Sequence, residues 1–408
     1  MSEVPVTPAS PASPASPATP ATPARPRKQE QEPASAEITE VAPKVLRLQI
    51  PINFTGLGHV NSYALIDSKG AAIVDAGLPG KETWSAIRTR LKDAGLKLSD
   101  IHTVLITHSH PDHFGSAGRL AHAANAEIVT ERRFHTWFER TPHSHSHSHS
   151  HAAPDDSPAA DDDLENARPE EDDTGYQNLI KARRTPWGGT PFEHGGRRRQ
   201  KIVRQLATRN LVPSLRPPIP TRRVSDGDKL MLAGREWRAV HTPGHTSDHL
   251  CLYDPENELL LSGDHVLPTI TPHVGGLSPL SDPLGSFLES LALLLDLGPV
   301  TNVLPAHGHP FQGLDQRVRQ IVDHHDERLV SLREIGRSTG QATVIELSQQ
   351  LFRKPVWGMM AESETYAHLE FLRVRGDAER VELADGQLAY SVDPDGTSSA
   401  REAAFGSL

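Results

Sequence analysis

Seven side chains in four short segments have the types and spacing of a metal centre. The densest segment is Thr107-His108-Ser109-His110-Pro111-Asp112-His113-Phe114-Gly115, where four ligand-type side chains fall within six residues. One helix face cannot aim His108, His110, Asp112 and His113 at two adjacent points, whereas a loop can. The i, i+2 imidazole pair can converge on one cation, and the following Asp-His pair points at a second. His245 (in Thr242-Pro243-Gly244-His245-Thr246), Asp264 (in Ser262-Gly263-Asp264-His265) and His307 (in Pro305-Ala306-His307-Gly308) each stand alone, just past an apolar run. Imidazole and carboxylate donors suit Zn2+ and also accommodate Mn2+ or Fe.

The elements that must position these residues read as alternating strands and helices, an α/β pattern. Val45–Ile52, Ser62–Ile66, Ala71–Asp75 and Thr103–Thr107 are short β-rich runs, and Gly80–Ala94 has helical spacing through Trp84, Ile87 and Leu91. A helix from Ser116 to Ala124 follows the histidine loop. Further on, Lys229–Leu232, Trp237–His241, Leu250–Tyr253, Leu259–Leu261 and Asn302–Leu304 read as strands, with hairpin turns expected at Asp226-Gly227 and Asp254–Asn257. A long helix occupies Pro283–Leu297. Every ligand candidate thus sits where a strand ends in a turn, where a rigid backbone can hold a side chain to metal tolerance. Two β-rich halves, each followed by helices, imply two packed sheets with helices outside.

The remainder of the 408 residues separates into tail, insert and appendage. Residues 1–43 are almost all Pro, Ala, Ser, Thr and charge, with proline at every third residue from Pro5 to Pro26, and read as an extended tail. Residues 141–199 interrupt the folded part with a Ser/His repeat from His143 to His151, an acidic block and the cluster Arg197-Arg198-Arg199. Opposed charge blocks without apolar periodicity argue for a solvated insert. Residues 314–408 carry helices at Leu314–Arg337, Thr343–Leu351 and Thr365–Arg375, then a hairpin at Val381–Val392, a helical, winged-helix-like unit. From Gln316 to Leu408, 11 Lys/Arg face 15 Asp/Glu, and the whole chain carries −10. This balance argues against a nucleic-acid partner. No apolar run reaches membrane-spanning length, so no membrane association is expected. The single cysteine, Cys251, reads as core; with no secretory signal in view, a cytoplasmic location is expected. Homo-oligomerisation is left open.

Taken together, the segment His108-x-His110-x-Asp112-His113 followed by His245, Asp264 and His307 resembles the signature of the metallo-β-lactamase superfamily, over about residues 45–313. The resemblance implies an αββα sandwich. It assigns His108, His110 and His245 to one metal, Asp112, His113 and His307 to the other, and Asp264 as the bridge. Asp75, in Ile73-Val74-Asp75-Ala76-Gly77, matches a buried aspartate that orients a ligand loop. It implies two Zn2+ about 3.5–4 Å apart sharing a water acidified from about 15.7 to about 7, with Asp112 holding the resulting hydroxide toward a small-molecule substrate. Retention of His110 favours hydrolysis over the family's diiron branch, and the pattern is closest to glyoxalase II and lactonases. The expected function is therefore hydrolysis of a small ester, thioester or lactone. Three rivals stand beside it: a metal-dependent ribonuclease, a mononuclear iron enzyme oxidising persulfides, and a non-enzymatic binding protein acting through its C-terminal unit.

Overall fold

Strands buried on both faces read as near-continuous apolar runs, and Ala71–Val74, Leu250–Tyr253 and Leu259–Leu261 are such runs. The fold is described from a computed structural model of the chain, covering residues 28–54, 56–136, 185–188 and 217–406. In the first half, β1 (Thr39–Ala42), β2 (Val45–Phe54), β3 (Leu57–Asp67) and β4 (Gly70–Val74) form an antiparallel meander. Helix α1 (Lys81–Asp93) then crosses over to β5 (Ile101–Leu105). After α2 (Pro111–Phe114) and α3 (Ala117–Ala124) come β6 (Glu127–Glu131) and β7 (Arg222–Val224), all parallel to β4. The sheet order is sequential, β1 to β7.

The second half repeats the plan. β8 (Lys229–Leu232), β9 (Arg235–His241), β10 (Leu250–Asp254) and β11 (Leu259–Gly263) are antiparallel. Helix α4 (Pro283–Leu295) leads to β12 (Asn302–Pro305), parallel to β11. The start of α4 is set by Asp282, whose carboxylate accepts from Gly285 N–H at 2.8 Å, with Pro283 in the first turn. Alternation divides the cores. Ala72, Val74, Leu105, Leu252, Leu259 and Leu261 meet between the sheets. Ile73 and Val104 face α1 and α3 through Ile87 and Leu120, while Cys251, Tyr253 and Leu260 face α4 through Leu284 and Phe287. This is the expected αββα sandwich.

The C-terminal unit comprises α5 (Leu314–Thr339), β13 (Ala342–Thr343), α6 (Val344–Leu351), α7 (Met359–Val374), β14 (Ala378–Glu382), β15 (Leu388–Val392) and α8 (Ala400–Phe405). Its sheet order, β13-β15-β14, with the helices α5, α6 and α7 is that of a winged helix. Its apolar residues Leu329, Leu332, Phe371 and Leu372 share one core with Phe287 and Leu291 of α4. Among the described residues, no helix is long and apolar enough to cross a membrane.

Three expectations are corrected. Composition alone extends the tail to residue 43, but residues 28–43 are folded: Glu30 is fully buried, accepting from Thr269 and Ile270 N–H at 2.8 and 3.1 Å, and Thr39–Ala42 is a strand. Residues 1–27 lie outside the described residues. Asp226-Gly227 is no hairpin, because β7 and β8 belong to different sheets; it is the crossing between them. The hairpin turns instead at Ala233-Gly234, whose φ values of +54° and +75° are those a two-residue turn between twisted strands needs. Helix α7 begins six residues earlier than the periodicity indicates, after Gly358. The insert 141–199 lies outside the described residues except for Thr185–Gly188, where Trp187 is buried and donates to Glu362 Oε2 at 3.2 Å.

Candidate metal centre

All four ligand segments leave the same end of the sandwich. The loop after β5 carries His108 to His113, the loop after β9 carries His245, the turn after β11 carries Asp264, and the turn after β12 carries His307. Backbone bonds fix these loops to one another. Leu250 N–H donates to Thr107 O at 2.8 Å, joining the sheets, and Ala306 N–H donates to Gly263 O at 2.9 Å, joining the turns before His307 and Asp264.

The seven candidate side chains converge into two groups. His108, His110, His245 and Asp264 form one; Asp112, His113 and His307 form the other. Within each group the ligand-type atoms lie within 4.8 Å of one another. In the first, His110 Nδ1 is 2.9 Å from His108 Nε2 and 3.0 Å from His245 Nε2. In the second, Asp112 Oδ2 is 3.6 Å from His113 Nε2 and 3.5 Å from His307 Nε2. Asp264 stands between. Its Oδ2 is 3.6 Å from both His245 and His113, and its Oδ1 is 3.3 Å from His307.

The far nitrogens show what the near ones are for. His245 Nδ1 bonds His273 O at 2.7 Å, His307 Nδ1 bonds His59 O at 2.7 Å, and His113 Nδ1 bonds Asp75 Oδ2 at 2.8 Å. His108 Nδ1 lies 3.0 Å from Thr107 Oγ1, whose hydroxyl donates to Asp75 Oδ2 at 2.9 Å. With Nδ1–H committed outward, each Nε2 turns a lone pair inward. Among the described residues, His113 Nε2, His307 Nε2 and Asp264 Oδ1 are buried with no well-aligned hydrogen-bond partner. Lone pairs crowded this closely and cut off from water need positive charge among them. The donor set therefore fits divalent cations.

Without a cation, protons supply that charge, and they do so unevenly. Burial drives His108 well below its ordinary range, and the neighbouring His113 and His110 add to this. Burial also holds His110 down at about 3 and lowers His245 against the pull of Asp264. Burial opposes charge on His113 and His307 too, but carboxylates outweigh it. Asp112, Asp75 and Asp264 raise His113 well above its ordinary range, and Asp264 with Asp112 holds His307 up at about 10. Asp112 and Asp264 are themselves held below the carboxylate range, burial being overcome by His113 and His307. The first group thus offers bare lone pairs, while the second holds protons that a cation must displace.

A family model described as metallo-beta-lactamase superfamily matches residues 55–309. The chain belongs to this superfamily. Over 348 residues it is 28% identical to the probable metallo-hydrolase YqjP of Bacillus subtilis, covering 80% of this chain and 92% of that protein. It is 29% identical over 163 residues to the Atrochrysone carboxyl ACP thioesterase of Aspergillus fumigatus, covering 37% of this chain and 49% of that protein. The solved metallo-beta-lactamase family protein from Thermus thermophilus superimposes with a TM-score of 0.64 at 28% identity, covering 86% of this chain and all of that one. A beta-lactamase domain protein from Burkholderia ambifaria gives 0.63 at 27% identity over 88% of this chain and 96% of that one. The chain is accordingly a metal-dependent hydrolase of this superfamily, with His and Asp residues able to hold metal ions.

All seven candidate ligands meet at the centre, and Asp75 supports its loops by accepting from Thr107 N–H at 2.9 Å and from His113. Three further residues hold the site, of which His59 and His273 can be picked out in the sequence as candidate pocket residues and Asp248 gives no such signal. His59 holds His307 through its carbonyl, while its ring Nε2 accepts from Gly308 N–H at 3.2 Å. Asp248 accepts from Ser109 Oγ at 2.9 Å, tying the histidine loop to the His245 loop. His273 contributes its backbone carbonyl to His245, and its ring lies 3.6 Å from Glu364 of α7. His265 is fully buried, its ring edge-on to Phe287 with centroids 4.6 Å apart. Cys251 is buried as expected, and burial pushes its thiol up to about 12.

Proposed function

We propose that the protein is a binuclear zinc-dependent hydrolase acting on a small ester, thioester or lactone. The observation that carries this is the division of seven donors into groups of four and three that share Asp264. His108, His110 and His245 would hold one cation, Asp112, His113 and His307 the other, with Asp264 serving both. Bound there, two zinc ions would supply Lewis acidity and a water acidified into the neutral range. The chain's own residues supply the rest. Asp112, ionised and facing both His113 and His307, orients the attacking water and accepts its hydrogen bond. Asp75 and the carbonyls of His59 and His273 keep three imidazoles aimed inward, so little reorganisation accompanies the reaction. The thioesterase among the relatives supports a thioester within the substrate class. The acidic balance of the chain supports a small molecule over RNA.

The test is turnover of an ester, a thioester, a lactone and RNA by the zinc-loaded full chain and its Asp112→Ala variant. Hydrolysis of at least one small substrate, lost by at least about 100-fold in a variant that circular dichroism shows to be folded, is expected, since a metal site stripped of its orienting group forfeits several kcal/mol. Turnover of none, RNA cleavage alone, or undiminished turnover in the variant would overturn the reading.

A further inference from the structure

His249 is buried completely, yet it is neither a ligand nor a core residue in the ordinary sense. Asp264 N–H donates to His249 Nε2 at 3.0 Å, which removes that nitrogen from any metal. The other nitrogen, Nδ1, lies 2.7 Å from Thr242 Oγ1. Thr242 Oγ1 lies 3.4 Å from Cys251 Sγ, and Cys251 Sγ donates to Ser262 O at 3.5 Å. The directions agree around the whole path. Nε2 must accept from an amide, so Nδ1 carries the ring proton and donates to Thr242. The Thr242 hydroxyl then donates to sulfur, and the thiol, kept protonated by burial, donates to the Ser262 carbonyl. The path begins and ends on one turn, Ser262-Gly263-Asp264.

That turn is closed locally by His265 N–H donating to Ser262 O at 3.0 Å and by Ser262 Oγ donating to Val266 O at 2.9 Å, and the circuit holds it from below. Gly263 has φ +50°, and a Cβ there would lie 2.6 Å from His249 Nε2. The ring therefore packs directly beneath the turn. Gly263 O also accepts Ala306 N–H at 2.9 Å, so the same turn sets the residue before His307.

We propose that His249, Thr242 and Cys251 form a closed hydrogen-bond circuit whose role is to position the bridging carboxylate Asp264, with His249 as the positioning residue, its Nδ1–H tautomer set by the Asp264 amide and its ring held in place by Thr242. This rests on the metal-centre reading of the site, but none of its readouts involves turnover. A chain that bound zinc tightly and hydrolysed nothing would sink the hydrolase reading and leave the circuit standing.

The experiment compares the full chain with His249→Gln, His249→Phe, Thr242→Val and Thr242→Ser. Zinc affinity and stoichiometry come from chelator competition, and the 15N shifts of His249 are recorded in the metal-free protein. The amide oxygen of glutamine reaches where Nε2 stood, so His249→Gln retains zinc affinity within a few-fold. His249→Phe and Thr242→Val lose about 10–100-fold, the usual cost of removing a group that orients a ligand, and Thr242→Ser restores it. The wild-type spectrum shows a protonated Nδ1 and a bare Nε2. Should His249→Phe fail to fold, the tautomer and the Thr242 pair decide alone. Wild-type zinc affinity in both His249→Phe and Thr242→Val, a protonated Nε2 in the wild type, or a wild type that takes up no zinc would overturn the proposal.

Discussion

At the scale of single residues, the site is an arrangement of protons as much as of ligands. His307 is held up at about 10 in the metal-free fold against an ordinary 6.5, so it binds more protons folded than unfolded between those values. Its stabilisation is complete below pH 6.5 and is lost as pH rises through about 10. His108, His110 and His245 are displaced the other way; unfolding lets them take up protons, so they destabilise the fold as pH falls below 6.5. Metal-free protein should therefore be most stable near pH 6.5 and lose on the order of several kcal/mol on either side. Zinc held by His113 and His307 would take the place of their protons and should abolish the alkaline limb. Thermal midpoints from about pH 5 to 10, with and without zinc, check this; an alkaline limb that persists in zinc would contradict it. The seven candidate ligands were legible because four share one loop and three follow apolar runs. The contacts of His59 and Asp248 were not, because their partners Gly308 and Ser109 lie 249 and 139 residues away.

At the scale of elements, the ligand loops are held by what packs on their backs. Gly244, beside His245, has φ +133°, and a Cβ there would collide with the Phe287 backbone of α4. Helix α4 can lie against the His245 loop only because this position is glycine. Gly244→Ala should displace the loop or the helix, costing about 1–3 kcal/mol of stability in urea unfolding and weakening zinc binding with it. Unchanged stability would show that the contact gives way freely. Strands buried on both faces, such as Leu250–Asp254 and Leu259–Gly263, announce themselves as continuous apolar runs. Thr39–Ala42 and Arg222–Val224 carry no such signal because they form the two edges of their sheet, where charge and polarity are tolerated. The two-residue strand Ala342–Thr343 is too short to carry any period.

At the scale of the molecule, the winged-helix-like unit and the second sheet are one body. Their apolar residues form a single cluster from Cys251 through Phe287 to Phe371 and Tyr390, and Asp282 at the head of α4 pairs with Arg375 at the end of α7 at 2.6 Å. The order of three helices and a hairpin was legible in the sequence, but their fusion with the sandwich was not, because periodicity locates an apolar face without naming what covers it. Calorimetry of the metal-free chain should accordingly give one cooperative transition. Two well-separated transitions would show that the C-terminal unit folds apart.

The central claim is that Asp264 joins two groups of donors into a two-cation centre. Metal analysis of the zinc-reconstituted full chain and of Asp264→Ala tests it most directly. The account predicts two zinc ions per wild-type chain, falling to one or fewer in the variant. A single ion per wild-type chain, or two retained after Asp264→Ala, would contradict it.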